Sequence, residues 1–387
     1  MIWLLVLPVG LIFLVYAGLI LAYHRAWKAI PVFVRQAAPA HATITVLIPA
    51  RNEEANIAGC LGSLARQSYP RDRFEVIVLD DHSTDGTAET IRSFSGRGDL
   101  RLRCLSMAEM PGSAAITAHK KFAIDAGVKA AAGELIVTTD ADCLFHPDWL
   151  SMLAACYEEK GAAFIAAPVR MGNEGPAAGG LLGVFQTLDF ITLQGITGAS
   201  VYRSWHSMCN GANLAYSSVA FHEAGGFRDI DRLPSGDDMF LMHKVARLYP
   251  DRVVYLKSRE AIVTTHAASR WSEFIHQRVR WASKADRYDD KRIFRVLLLV
   301  YMVNALLLLV LIGAFFDRWL GWYFLILLVL KTAVEYPFVR NVASFFGQLT
   351  LMRYFALMQP LHILYTVVIG WMGKFGSYDW KDRKIKK

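Results

Sequence analysis

The feature that most constrains this chain is the uncharged apolar run at residues 2–23, long enough to cross a hydrocarbon core of about 30 Å as a helix. Three more apolar runs follow near the other end, at about residues 296–316, 319–339 and 354–372. Lys331 and Glu335 interrupt the second of these, and the last contains Pro360 and His362. With 54% hydrophobic and only 20% charged residues, the 387-residue chain is too apolar for an ordinary soluble domain. Between the first run and the others lie about 270 residues of mixed composition, enough for one large domain with its own core. The boundaries read from this pattern are 1–24 for an N-terminal transmembrane helix, 40–290 for the large domain and 294–374 for C-terminal transmembrane or interfacial helices.

A net charge of +8 raises the question of nucleic acid, but the basic residues gather beside the apolar runs. Arg25, Lys28 and Arg35 follow the first run; Arg278, Arg280, Lys284, Lys291, Arg292 and Arg295 precede the second; a basic tail occupies residues 381–387. Basic residues so placed mark cytoplasmic flanks and contacts with anionic lipid, and no nucleic-acid partner is expected. No Lys or Arg precedes the first run, which argues against a signal peptide. The same bias places the N-terminus outside and the large domain in the cytosol. Three full C-terminal crossings would then put the basic tail outside, against the charge rule. Either one of the last segments is re-entrant or interfacial, to which Pro360 and the Lys331/Glu335 pair point, or the charge rule fails here. The five cysteines show no CxxC and no zinc spacing, which suits reduced thiols in a cytosolic domain.

Within the large domain, apolar β-branched runs at 43–49 and 74–79 read as buried strands, with a weaker one near 100–105 and another at 134–139. Helices are expected between them: one capped by Asn52 with Ile57, Leu61 and Leu64 on one face, one at 87–94, and one at 120–132. Strands alternating with helices imply an α/β domain with a mostly parallel sheet, in which ligands bind at the carboxyl ends of strands. Asp80/Asp81 and Asp140/Asp142 both stand at strand ends. There is no GxGxxG after the first strand and no GxxxxGK[ST], so dinucleotide and P-loop sites are disfavoured.

Asp140-Ala141-Asp142 places two carboxylates on one side of an extended segment, as hard oxygen ligands for Mg²⁺ or Mn²⁺; a solvated pair of loop-capping aspartates is the plainer alternative. Asp237 and Asp238, in SGDD, precede a helix expected from about Met239; one reads as an N-cap and the other as a candidate general base. In the segment 271–288, Gln277, Arg280 and Trp281 bring an amide, a guanidinium and an indole suited to diphosphate and sugar, while Arg278 with Arg280 also reads as a juxtamembrane basic patch. His266 reads as an ordinary polar histidine rather than a metal ligand.

The order of these motifs is specific: IPARNEE (48–54), VLDDHSTDG (78–86), Lys120 with GELIVTTDADC (133–143), CNGANLAY (209–216), SGDD (235–238) and QRVRW (277–281). Over residues 43–281 the chain resembles glycosyltransferase family 2, in the membrane-bound branch related to cellulose, hyaluronan and poly-N-acetylglucosamine synthases and to ceramide glucosyltransferases. The resemblance implies a GT-A-like nucleotide-sugar-binding domain and an inverting hexosyltransferase that uses a UDP-sugar donor. Pro49, Arg51 and Glu53 match its first nucleotide loop, Asp81 the residue that pairs with the base, and Lys120 a basic residue near the nucleotide. Asp140 and Asp142 match its D-x-D, with Asp142 the direct metal ligand. Asp238 matches the catalytic aspartate of T-E-D and Asp237 takes the glutamate's place. Gln277, Arg280 and Trp281 match Q-x-x-R-W, with Arg280 assisting the leaving diphosphate. Asn210 and Gly211 resemble the loop against which the acceptor lies. The chain departs from the pattern at Arg51, where many relatives carry an aromatic, and at His119, where glycine is common.

A helix carrying QRVRW toward an apolar run suits an acceptor delivered by the membrane. Residues 181–197, with Phe185, Phe190, Ile191 and Leu193, suit either an interfacial amphipathic helix or a core-facing one. The leading expectation is transfer to a lipid or lipid-linked glycan by a multi-pass protein of the cell membrane, the inner membrane in a bacterium, with a partner subunit left open. A processive polysaccharide synthase is the runner-up, disfavoured by the short C-terminal membrane region. A non-catalytic scaffold or transporter that retains the fold is the alternative from another class.

Overall fold

Residues 3–36, 40–96, 98–110, 118–172, 180–205, 208–230, 236–284, 290–375, 378–380 and 383–385 are described by a computed structural model of the chain. Ser235 and residues 173–179 and 285–289 lie outside the described residues, as does part of the basic tail. The chain divides into an α/β unit, Ile30–Gly172 with Ile196–His266, and a helical unit, Met1–Ala29 with Asn173–Gly195 and Ala267–Lys387.

In the α/β unit the apolar runs become strands because both their faces are covered. All seven residues of β2 (Phe74–Asp80) are buried, as are all but Pro49 in β1 (Ile44–Ala50). With β3 (Leu102–Ser106) and β4 (Leu135–Thr138) they form the parallel half of a seven-stranded sheet. The order is completed by β8 (Leu214–Ser217), β6 (Phe164–Ala166) and β9 (Val253–Tyr255), giving β3-β2-β1-β4-β8-β6-β9. Only β8 runs against its neighbours. The sheet is thus mostly parallel, as expected. A smaller sheet joins β5 (Leu144–Phe145), β10 (Val263–Thr265) and β7 (Val169–Met171).

The connecting helices are α2 (Ile57–Ala65), α3 (Thr87–Ser95), α4 (His119–Ala130), α5 (Trp149–Lys160), α7 (Ser218–Glu223) and α8 (Asp237–Leu248). Ile57, Leu61 and Leu64 are buried together, as their spacing predicts. Asn52, however, does not cap α2. Its backbone sits at φ +52°, and its side-chain oxygen accepts from the Thr84 amide, so it ties the first loop to the second. Close approach of the chain also explains Gly133, where a Cβ would lie 2.5 Å from the Thr45 nitrogen. Glu75 is a buried charge inside β2, and it is satisfied by Thr45 Oγ1, the Ala132 amide and Arg103, each at 2.9 Å.

The helical unit contains α1 (Trp3–Ala29), the first part of α6 (Gly180–Tyr202), α9 (Trp271–Ala282), α10 (Lys291–Gly313), α11 (Arg318–Phe345) and α12 (Phe355–Phe375). Among the described residues, four stretches are helical, long and apolar enough to cross a membrane: Val6–Ala29, Lys291–Gly313, Arg318–Phe345 and Leu349–Phe375. The helix α12 continues through Pro360, so that residue does not break the segment. Phe185, Phe190 and Ile191 of α6 are buried, which selects the core-facing reading of that helix over the interfacial one.

Lys331 and Glu335 do not mark a helix end either. They sit one turn apart on α11 with Nζ 2.8 Å from Oε1, and Lys331 has no solvent exposure. Gln359 of α12 accepts from Lys331 at 2.6 Å and donates to Glu335 at 2.7 Å, and the Tyr16 hydroxyl of α1 also donates to Glu335. A polar knot therefore ties α1, α11 and α12 together. Replacing Lys331 with Met leaves Glu335 charged and buried, and should lower stability by about 3–5 kcal/mol, while pairing it with Glu335→Leu should recover most of that loss. Thermal unfolding of the detergent-solubilised variants measures both.

Candidate active site

Three loops at the carboxyl ends of β1, β2 and β4 come together in the α/β unit. Backbone pairing does much of the work: the Asp81 amide donates to Ala50 O, and Thr139 donates to Leu47 O. Pro49 is the penultimate residue of β1, and Arg51 just beyond the strand donates through Nη1 to the Asp81 carbonyl at 2.9 Å. Glu53 accepts from Asn56 Nδ2 at 2.9 Å, and its amide donates to Thr87 Oγ1. The first nucleotide-loop residues of the sequence reading are thus braced against the second loop. Asp81 is buried and flanked by two histidines, with His82 Nδ1 at 2.9 Å and His119 Nδ1 at 3.4 Å from the same carboxylate oxygen. Neither histidine was singled out as a partner of Asp81, because no local spacing links residues 82 and 119.

Asp140-Ala141-Asp142 departs from the extended geometry expected of it. A turn follows β4, closed by the Cys143 amide on the Asp140 carbonyl at 3.2 Å. Alternation of side chains along a strand therefore does not apply, and the two carboxylates have different partners. Asp140 accepts from Lys120 Nζ at 2.7 Å, whereas Asp142 accepts from Thr265 Oγ1 on β10 at 3.0 Å. Burial, then the neighbouring Asp140 charge, raises the Asp142 pKa above the ordinary carboxylate value, with Glu53 adding to it and Thr265 and His266 opposing it. Asp142 carries the hard oxygens a divalent cation favours, with the Asp140 and Glu53 charges acting on it, whereas the described residues whose ligand atoms all lie within 4.8 Å of one another are Asp81, His82 and His119. His266 sits near enough to Asp142 to favour its ionised form. Thr265 went unnoticed in the sequence because it lies far along the chain in an unremarkable TTH.

The second acidic motif meets the first through Lys120. Its ammonium is 3.7 Å from Asp237 as well as 2.7 Å from Asp140. Burial by itself lowers a lysine pKa, but Asp140, then Asp237 and Asp238, outweigh that and raise it above the ordinary value. The helix α8 starts two residues earlier than expected, at Asp237, behind Gly236 at φ +85°. Both aspartates therefore occupy the first turn, where the helix dipole favours negative charge, and neither is the N-cap. Asp238 accepts from the Gly211 amide at 3.2 Å and the Met239 amide at 2.8 Å. A Cβ on Gly211 would stand 3.4 Å from Lys120 Nζ, so the CNGAN loop lies directly against this cluster. Asn210 accepts from the Ala212 amide and shapes that loop. Asn213 is structural, its amide held between Pro168 O and Ala261 O at 2.8 Å each.

Gln277, Arg280 and Trp281 belong to α9 in the helical unit. Arg278, which also reads as part of a basic surface patch, is buried there, with Nε 2.9 Å from Asp189. A surface reading fails because α6 and α12 cover that side of α9.

Acidic groups gathered at strand ends on a mostly parallel sheet define a GT-A-like α/β protein. Two family descriptions match: Glycosyl transferase family 2 over residues 45–209 and Glycosyl transferase family group 2 over residues 135–373. The chain belongs to glycosyltransferase family 2. It is 34% identical over 137 residues to the glycosyltransferase AglE of Haloferax volcanii, covering 35% of this chain and 42% of that one. It is 35% identical over 106 residues to the dodecaprenyl-phosphate galacturonate synthase of Rhizobium johnstonii, covering 27% of this chain and 29% of the relative. The matches thus span less than half of either relative. The fold is shared with the mannosyltransferase of Pyrobaculum calidifontis, solved in complex with GDP-Man and Mn²⁺, at TM-score 0.57 and 21% identity over 96% of this chain and 99% of that one.

Because its pKa is raised, Lys120 stays charged and stabilising at every pH below its unfolded value of about 10.4, and loses this only as pH climbs through the higher folded value. Lys120→Met should therefore destabilise the protein at pH 7. The deficit should shrink only in alkali, as the wild-type lysine loses its proton. Melting midpoints of both proteins across pH check this.

Proposed function

We propose that the protein transfers a sugar from a nucleotide-sugar, of the UDP class, to a lipid or lipid-linked acceptor at a membrane, with inversion at the anomeric carbon. The observation that carries this reading is the Lys120 ammonium, which joins the strand-end Asp140 to Asp237 and so sets the donor-side carboxylates beside Asp238. The name of the Rhizobium relative, a synthase of a dodecaprenyl-phosphate sugar, supports the lipid class of acceptor. Four helices of membrane-spanning length support the location. The proposed arrangement has a cytosolic catalytic domain at 40–290, with 1–24 and 294–374 in the cell membrane.

Asp81 is the residue proposed to hold the base, with Pro49, Arg51 and Glu53 shaping its loop. Asp142, with Asp140 beside it, is proposed to hold Mg²⁺ or Mn²⁺, which when bound would neutralise charge on the diphosphate. Arg280 carries a guanidinium suited to phosphate oxygens and Trp281 an indole suited to an apolar sugar or lipid face, while Gln277 offers an amide to acceptor hydroxyls. Asp238, oriented by the Gly211 and Met239 amides, takes the proton of the acceptor hydroxyl. That oxygen forms its bond to the anomeric carbon as the bond to the diphosphate breaks on the opposite face. Asn210, Gly211 and Asp237 line the acceptor side of this step.

Nucleotide release from the purified, detergent-solubilised protein over a panel of UDP-sugars and then GDP-sugars, with membrane lipids added, tests this reading. Release with one sugar, abolished by EDTA and by Asp142→Asn and reduced about 10²–10⁴-fold by Asp238→Asn, is expected. Silence with both nucleotide classes, or a wild-type rate in Asp238→Asn, would overturn it.

A further inference from the structure

Arg278 of QRVRW cannot face a substrate, since its side chain is 2% exposed. Five side chains meet it. Nε donates to Asp189 on α6 at 2.9 Å, and Nη1 donates to the side-chain oxygen of its neighbour Gln277 at 2.9 Å. The guanidinium also lies 4.2 Å from the centre of the Trp281 ring and 4.7 Å from that of Phe274. The Tyr365 hydroxyl of α12 is within hydrogen-bonding reach of both Arg278 and Asp189. The same stretch of α6 is tied to the segment leading into α9 by Gln186, whose side chain exchanges two 3.0 Å hydrogen bonds with the backbone of Ala268.

We propose that Asp189 is a positioning residue for the QRVRW segment: by pairing with Arg278 it fixes the Gln277 amide and backs the Trp281 indole. A guanidinium buried this deeply requires a counter-charge, and Asp189, itself buried, supplies it. A planar guanidinium stacked on an indole holds the ring in one orientation, while its hydrogen bond to Gln277 turns that amide's oxygen inward and leaves the NH₂ as the group to offer. Without Asp189 the guanidinium has to seek water, and both neighbours lose their support. That Gln277 and Trp281 serve the acceptor rests on the proposed function; that Asp189 orients them does not.

The test compares Asp189→Asn, which keeps the shape and removes the charge, with the apolar pair Asp189→Leu/Arg278→Met. Transfer is measured as acceptor KM and kcat, alongside UDP–Mn²⁺ affinity, melting midpoint and the fluorine NMR signal of 5-fluorotryptophan at Trp281, assigned with Trp281→Phe. Asp189→Asn should shift or broaden the Trp281 signal and lower acceptor-dependent kcat/KM by about 10²-fold, as expected for a displaced positioning group, while UDP affinity stays unchanged. The apolar pair should regain the melting midpoint but not transfer, because the Gln277 and Trp281 contacts are still missing. A normal Trp281 signal in Asp189→Asn, or full transfer by the apolar pair, would overturn the proposal. If the wild type transfers no sugar at all, the enzymatic reading fails, and the Trp281 signal alone still decides the role of Asp189.

Discussion

A single ammonium group holds the acidic centre of the α/β unit together. Asp140 follows a strand and Asp237 opens a helix, and without Lys120 between them the carboxylates, with Asp238 one residue on, would repel. Coulomb attraction over such short distances in a half-buried site is strong enough to keep the lysine charged despite its burial. The remaining geometry follows from that clamp. The first turn of α8 is fixed against the CNGAN loop, so the Gly211 amide can orient Asp238, while Asp142 is met separately by Thr265.

The helical unit handles buried charge in the same manner. Lys331 and Glu335 are matched by Gln359 and Tyr16, and Arg278 is matched by Asp189 and Tyr365. Pairs of this kind add little net stability over apolar packing, because each ion must first be stripped of water. Their contribution is to specificity. An apolar helix face tolerates sliding and rotation, whereas a polar knot has one register in which every donor and acceptor is met. Helices that are apolar almost all round need such markers more than amphipathic ones do.

Much of the fold was legible because it depends on local pattern. The runs around Val46, Val76 and Val137 are apolar on both faces, and only a strand covered on both sides uses such a sequence. Ile57, Leu61 and Leu64 announced α2 by spacing alone. Errors arose where a long-range partner overrode a local preference. Asn52 has the chemistry of a cap, yet it adopts a left-handed backbone because Thr84 and Ser83 meet it from another loop. The alternation rule for Asp140 and Asp142 failed because the strand had already ended in a turn. Arg278 looked like a surface charge because its counter-ion, Asp189, carries no motif and lies on a helix far back in the chain.

Taken alone, the sequence determined which segments are apolar enough to span a membrane, which runs become strands, and which carboxylates fall at strand ends. Those are consequences of residue type and periodicity, and they hold wherever the segments pack. Only the tertiary structure decided the pairings: Lys120 with Asp140 and Asp237, Thr265 with Asp142, two histidines with Asp81, Asp189 with Arg278. A charge is blind to sequence separation and responds only to distance and dielectric, so its partner is chosen by the fold and not by its neighbours in the chain.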